Sequence, residues 1–183
     1  MVSPQSLSEA DRRTVAAWAA DCAERVAWLF EAEAPTDNRV RDAIERTRAF
    51  ARGELRAADE IRQRFVAVRA AGAVASPAAK AAARAAAQAS AVAHMGAHAL
   101  GAAAYAAKAA GLAAPDRPNA IDDEIRWQLT RMTPEIEAAL RLLPLVGEDA
   151  AGPLGSGLLA SGTLASIIRQ IQAQIAATPN TGA

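Results

Sequence analysis

The chain has 183 residues, of which 52% are apolar, so it is long enough to bury a sizeable core. Twenty basic and twenty acidic side chains cancel, which excludes a global field that would draw the protein onto nucleic acid or an anionic membrane. Fifty-two of the residues are alanine and only seven are aromatic, and nowhere do β-branched residues alternate with polar ones, so a β-rich fold is excluded and an all-α fold expected.

Ser8-Glu9-Ala10-Asp11 has the form of a capping box and starts the first predicted helix. Val15, Trp18, Ala19, Cys22, Val26, Leu29 and Phe30 recur at three- and four-residue steps and give that helix one apolar stripe to about Ala32. Pro35, Thr36, Asp37 and Asn38 form a connector, after which Val40, Ala43, Ile44, Thr47 and Phe50 face inward from a second helix that Gly53 ends or bends. The pattern continues through Ala58, Ile61, Phe65 and Val68, expected as an inner face, to Gly72, whose missing Cβ suits a left-handed terminus.

Ser76 followed by Pro77 restarts a helix, since serine caps and proline tolerates the first position. No charge occurs from Ala85 to Ala107, but this stretch is alanine with polar interruptions and reads as a buried helix rather than a membrane span. Run unbroken from Ala78 to Ala114 it would reach ~55 Å, so a break is expected near His94 to Gly96. Small side chains on nearly every side would let neighbouring backbones come close, which places both halves centrally.

Pro115 to Asn119 is a linker, and Asp122, Asp123 and Glu124 supply the acidic first turn of a helix with Ile121, Ile125 and Leu129 inward. Thr133-Pro134 opens a short helix that Pro144 stops. Residues 144 to 162 are rich in glycine and proline and read as an irregular loop before a last amphipathic helix, with Leu164, Ile168, Ile171 and Ile175 on one side and Arg169, Gln170, Gln172 and Gln174 on the other. The expected architecture is one multi-helix bundle of six to eight helices over residues 8–176, with flexible termini at 1–7 and 177–183.

Candidate chemistry is sparse. Cys22 is the only cysteine and lies on an apolar stripe, and the N-terminus has no apolar signal region, so a cytoplasmic location is the expectation. His94 and His98 have the i, i+4 spacing of zinc ligands, but no third ligand or HExxH glutamate accompanies them, and no metal or other cofactor is expected. Gly155-Ser156-Gly157 lacks the preceding strand of a nucleophile elbow. Local pairs such as Asp21 with Arg25 and Asp42 with Arg46 read as solvated faces, and Arg41, Arg48, Arg52 and Arg56 form at most a ridge flanked by acids. Trp28 and Trp127 fall partly off the inner stripes, where a tryptophan covers a helix junction or anchors a protein interface.

Several segments resemble a family of predicted immunity proteins from bacterial polymorphic toxin systems, the group numbered five and its alanine-rich actinobacterial relatives. They are WAADCAERVAWLFE at 18–31, RDAIERTRAFARGE at 41–54, AHMGAHALGAAAYAAKA at 93–109, EIRWQ at 124–128 and GPLGSGLLASG at 152–162. Phe50 stands where relatives carry tryptophan. The resemblance implies a non-enzymatic protein that binds and neutralises a cognate protein toxin, without assigning contact residues. The residues themselves nominate Asp21, Arg25, His94, His98, Arg126 and Trp127 for partner binding. Two other readings stay open: a self-assembling helical protein that forms a homo-oligomer through its C-terminal isoleucine stripe, and a small-molecule or metal-binding bundle that uses the histidine pair.

Overall fold

A computed structural model describes residues 3–178, and these contain eight α-helices and no strand. They are α1 (Glu9–Glu33), α2 (Arg39–Ala51), α3 (Ala57–Ala70), α4 (Pro77–Ala91), α5 (His98–Ala113), α6 (Ala120–Thr130), α7 (Pro134–Arg141) and α8 (Gly162–Ala177). Short 3₁₀ turns lie at Ala71–Ala73 and Leu158–Ala160. The starts follow the expected capping chemistry: the Ser8, Ser76 and Thr133 hydroxyls accept from the amides of Asp11, Ala79 and Ile136.

The centre is built from α1, α4 and α5. Almost every alanine of α4 and α5 is buried, which a helix can achieve only when neighbours close on it from several sides. Side chains this short hold the backbones near one another, while Trp18, Phe30, Phe50, Leu100 and Ile168 fill the wider gaps. The uncharged stretch does divide, α4 ending at Ala91 and α5 starting at His98. Among the described residues no helix is long and apolar enough to cross a membrane. Helix α2 lies on α1, α3 leans on α4, and α6 and α8 flank α5.

Four expectations are corrected. On α3, Phe65 and Val68 are exposed while Glu60, Ala67 and Ala70 are buried. The small Ala67 and Ala70 let this helix lie close to α4, and Glu60 turns inward to pair with Arg46 of α2 at 2.5 Å, which rotates the larger apolar groups to the surface. Gly72 lies in the 3₁₀ turn without a left-handed backbone, a conformation that Gly53 does adopt with φ of 81°. On α8, Gln172 is not on the outer face but buried, its Oε1 accepting from Val146 N at 3.1 Å and its Nε2 donating to Pro144 O at 2.9 Å. The isoleucine stripe of the same helix is buried within this chain, so it offers no surface for self-assembly.

Near the N-terminus, the Gln5 side chain is fully buried, accepting from Leu154 N at 2.9 Å and donating to Asp149 at 2.8 Å and to the Ala151 carbonyl. The carbonyls of Gln5 and Ser6 accept from Ala97 N and Gly96 N at 3.0 and 3.1 Å. A few residues thus tie the α4–α5 turn to the glycine-rich loop. Leu7 has φ of 57°, and a Cβ added to Gly96 would come within 2.4 Å of its side chain, so this turn needs glycine for the close approach. Residues 1–2 and 179–183, expected to be flexible, lie outside the described residues.

Candidate functional site

Two regions gather the side chains nominated above. The first joins α1 to α6. Glu124, read in the sequence as a first-turn acid, is turned inward with only 6% of its side chain exposed, and it accepts from Arg25 Nε at 3.1 Å. The guanidinium carbon of Arg25 also lies 4.4 Å from the centre of the Trp127 ring, so a half-exposed cation is held between a buried carboxylate and an indole face. Arg131 approaches the same ring at 5.9 Å. Beneath this clamp, Trp18 Nε1 donates to Gln128 O at 2.9 Å and Gln128 Nε2 donates to Ala103 O at 3.0 Å, bolting α6 to α1 and α5.

Burial drives the Glu124 carboxyl above its ordinary range, and the hydrogen bond and charge of Arg25 only partly oppose it. The Cys22 thiol is pushed up well above its ordinary value, first by burial and then by the nearby charges of Glu124 and Asp21, which makes it packing rather than a nucleophile. Asp21 accepts from Arg48 of α2 at 2.8 Å and lies 3.8 Å from Arg131. The expected local pairs are therefore replaced by pairs between helices, because α1, α2 and α6 bring complementary charges closer than one helical turn does. The row of Arg41, Arg48, Arg52 and Arg56 is neutralised as well, Arg41 by Glu31 and Arg48 by Asp21 and Glu24 across helices, and Arg52 by Glu54 and Arg56 by Asp59 locally. Arg126 points outward on α6 and pairs with Asp123 at 3.0 Å.

Beside the clamp, Trp28 stands 60% exposed over a 400 Å³ depression between α1 and α2, rimmed by Glu24, Glu31, Arg41 and Arg48. Trp127 is half-buried and Trp18 fully buried. Phe50 is buried under the guanidinium of Arg13, 4.4 Å from its ring centre, so this position belongs to the core rather than to a partner surface.

The second region surrounds the break between α4 and α5. His94 falls in the turn and His98 begins α5, so their spacing does not place them on one helical face, yet both line a 380 Å³ depression with Gln88, Tyr105 and the glycine-rich loop. His98 Nδ1 lies 2.7 Å from Gln88 Oε1, an acceptor, so this ring nitrogen is the donor. Gln88 in turn lies over Gly101, where an added Cβ would come within 2.4 Å of its Oε1 and 2.9 Å of Leu159. Among the described residues no group of three or more histidine, cysteine, aspartate or glutamate side chains could hold a metal ion.

Of the six nominated residues, Asp21, Arg25 and Trp127 are brought together, His94 and His98 meet elsewhere, and Arg126 stands at the rim of the first group. Sequence reasoning missed Gln5, Gln88, Glu124 and Gln128. For the last two a signal was present, since their i, i+4 spacing from Ala120 onward places them on the side of Ile125 rather than on the polar face. No curated protein and no solved structure matches the chain. A family model does match at residues 5–135, the span that carries α1, α2 and α6 and hence the whole Arg25 clamp: the chain belongs to the family described as Imm-5 like putative immunity protein.

Proposed function

We propose that this protein acts in the cytoplasm as the immunity partner of a protein toxin, which it neutralises by binding and not by a reaction. The family match supports the class of function. The observation that carries the site is the Arg25 guanidinium, fixed between Glu124 and the Trp127 ring yet open to solvent on its remaining side. Arginine and tryptophan dominate the energetics of protein interfaces, and a side chain already held in place loses less entropy when a partner docks. Asp21, Arg48 and the exposed Trp28 extend this surface along α1 and α2, and Arg126 extends it along α6.

The test is co-expression with the product of the adjoining gene, followed by titration calorimetry. A stoichiometric complex and loss of toxicity are expected, with Trp127→Ala weakening the complex about 30-fold and Arg25→Lys, which keeps the charge but not the planar fork, about tenfold. An adjoining product that is harmless and leaves no complex on a sizing column would refute the reading.

A further inference from the structure

The depression at the histidines continues into a second one of 520 Å³, and the two share Gln88 and Tyr105 as common walls. Together they form an open groove that runs from the end of α3, past α4 and α5, to the glycine-rich loop. Lys80 and Arg84 line it, and among the described residues neither has a carboxylate within ion-pair distance, whereas Arg13, Arg25, Arg39, Arg41, Arg46 and Arg48 each have one. Arg12, Arg69, Lys108 and Arg169 also lack such a partner, but they line neither depression. Lys80 acts on Glu33 only through space, and no aspartate or glutamate lines either depression. His94 and His98 add two nitrogen-bearing rings at the far end. The groove is also apolar at its extremities, where Val68 is 52% and Leu158 64% exposed.

We propose that this groove binds an extended acidic segment of a protein partner, with carboxylates set against Lys80 and Arg84 and apolar side chains against Val68 and Leu158. The proposal rests on the reading of this chain as a partner-binding protein and adds the chemistry of one contact. Charge complementarity selects the occupant: uncompensated cations in an electrically balanced protein leave a local positive potential that an acidic chain neutralises. The shape selects a segment over a small anion, because small-ligand sites enclose their ligand and converge polar groups on it, whereas this trough is open and spaces its cations and apolar ends along its length. Nucleic acid, which is bound through many phosphate contacts at once, would meet only two uncompensated cations here.

The chain has only two histidines and both lie in the groove, so its imidazole signals report on the groove without interference. The experiment titrates an end-blocked octapeptide of alternating aspartate, glutamate and leucine into protein labelled at histidine and follows both rings by NMR. Saturable shifts of both rings are expected, with affinity about tenfold weaker in Lys80→Gln/Arg84→Gln and falling further as salt rises. Arg84→Gln alone, at an exposed position, should lose about threefold and replaces the double variant if that one loses its helical signal. Still histidine signals, equal binding by the charge-removed variants, or the same shifts from free glutamate or inorganic phosphate would each overturn the proposal. A toxin complex in the presence of an inert peptide would defeat the groove and spare the immunity reading, and the converse result would do the opposite.

Discussion

The clamp on α6 and the groove beside α4 both contain arginine against an aromatic ring, yet they solve opposite problems. At the clamp, Arg25 closes on Trp127 at 4.4 Å and its charge is spent on a buried carboxylate of the same chain. In the groove, Arg84 lies 5.9 Å from Tyr105, with no carboxylate within ion-pair distance among the described residues. A cation answered from within holds helices together and presents a rigid surface, and one left unanswered contributes little to folding and remains available to a partner. Perturbing the first should therefore change stability, and perturbing the second should leave stability intact and change only binding.

The sharpest way to break the contrast is to remove the pillar under the clamp. Trp18→Ala deletes a fully buried ring and its bond to the Gln128 carbonyl, and a loss of about 4 kcal/mol is expected in denaturant unfolding. Arg25→Ala strands Glu124, and since Arg25 is half exposed the cost should be nearer ~2 kcal/mol at neutral pH than the larger figure for a fully buried pair. That cost should depend on pH in a definite direction. A carboxyl whose folded-state pKa is raised binds its proton more tightly when folded, so stability is highest below the ordinary carboxylate pKa and declines as pH rises through the interval up to the folded value. Without Arg25 the interval widens, so the gap between variant and wild type should shrink when thermal melts are compared at pH 4 and pH 7. Adding Glu124→Gln to Arg25→Ala should restore most of the loss, and a gap that persists would show that Arg25 acts through packing alone.

Smaller effects are expected around the groove. Gly101→Ala should cost about 1 kcal/mol, because the new methyl displaces the flexible ends of Gln88 and Leu159, and the His98 ring signals should shift with the lost Gln88 bond. Lys80→Gln/Arg84→Gln should change unfolding free energy by less than ~0.5 kcal/mol, the ordinary range for surface positions, since Arg84 has only the distant Tyr105 ring and Lys80 only a through-space attraction to Glu33. A substantial destabilisation there would mean that the groove's charges are structural after all.

Much of the fold was legible in the residues because helix chemistry is local. Ser8, Ser76-Pro77 and Thr133-Pro134 each needed only three or four following residues to place a helix start. The division of the alanine-rich stretch followed from its length against the size of the protein. Helix α3 shows where this reasoning ends, since Phe65 and Val68 lie on a sound apolar stripe and still face solvent because Glu60 is claimed by Arg46. Gln5 was equally unreadable, because its partners at Asp149, Ala151 and Leu154 are more than 140 residues away. Of the candidate site, Arg25 and Trp127 were nominated by type, but the buried acid that joins them, Glu124, was read only as part of an acidic first turn.

Composition and spacing by themselves determined that this chain is helical, where its helices begin, and that its alanines are interior, since each depends on the backbone preferences and periodicity of neighbouring residues. Which charges answer one another was decided only when α1, α2 and α6 came together and, among the described residues, Lys80 and Arg84 of α4 were left without a carboxylate within ion-pair distance. Ion pairing depends on distances of a few ångströms between segments remote in sequence, and nothing along a single helix encodes those distances.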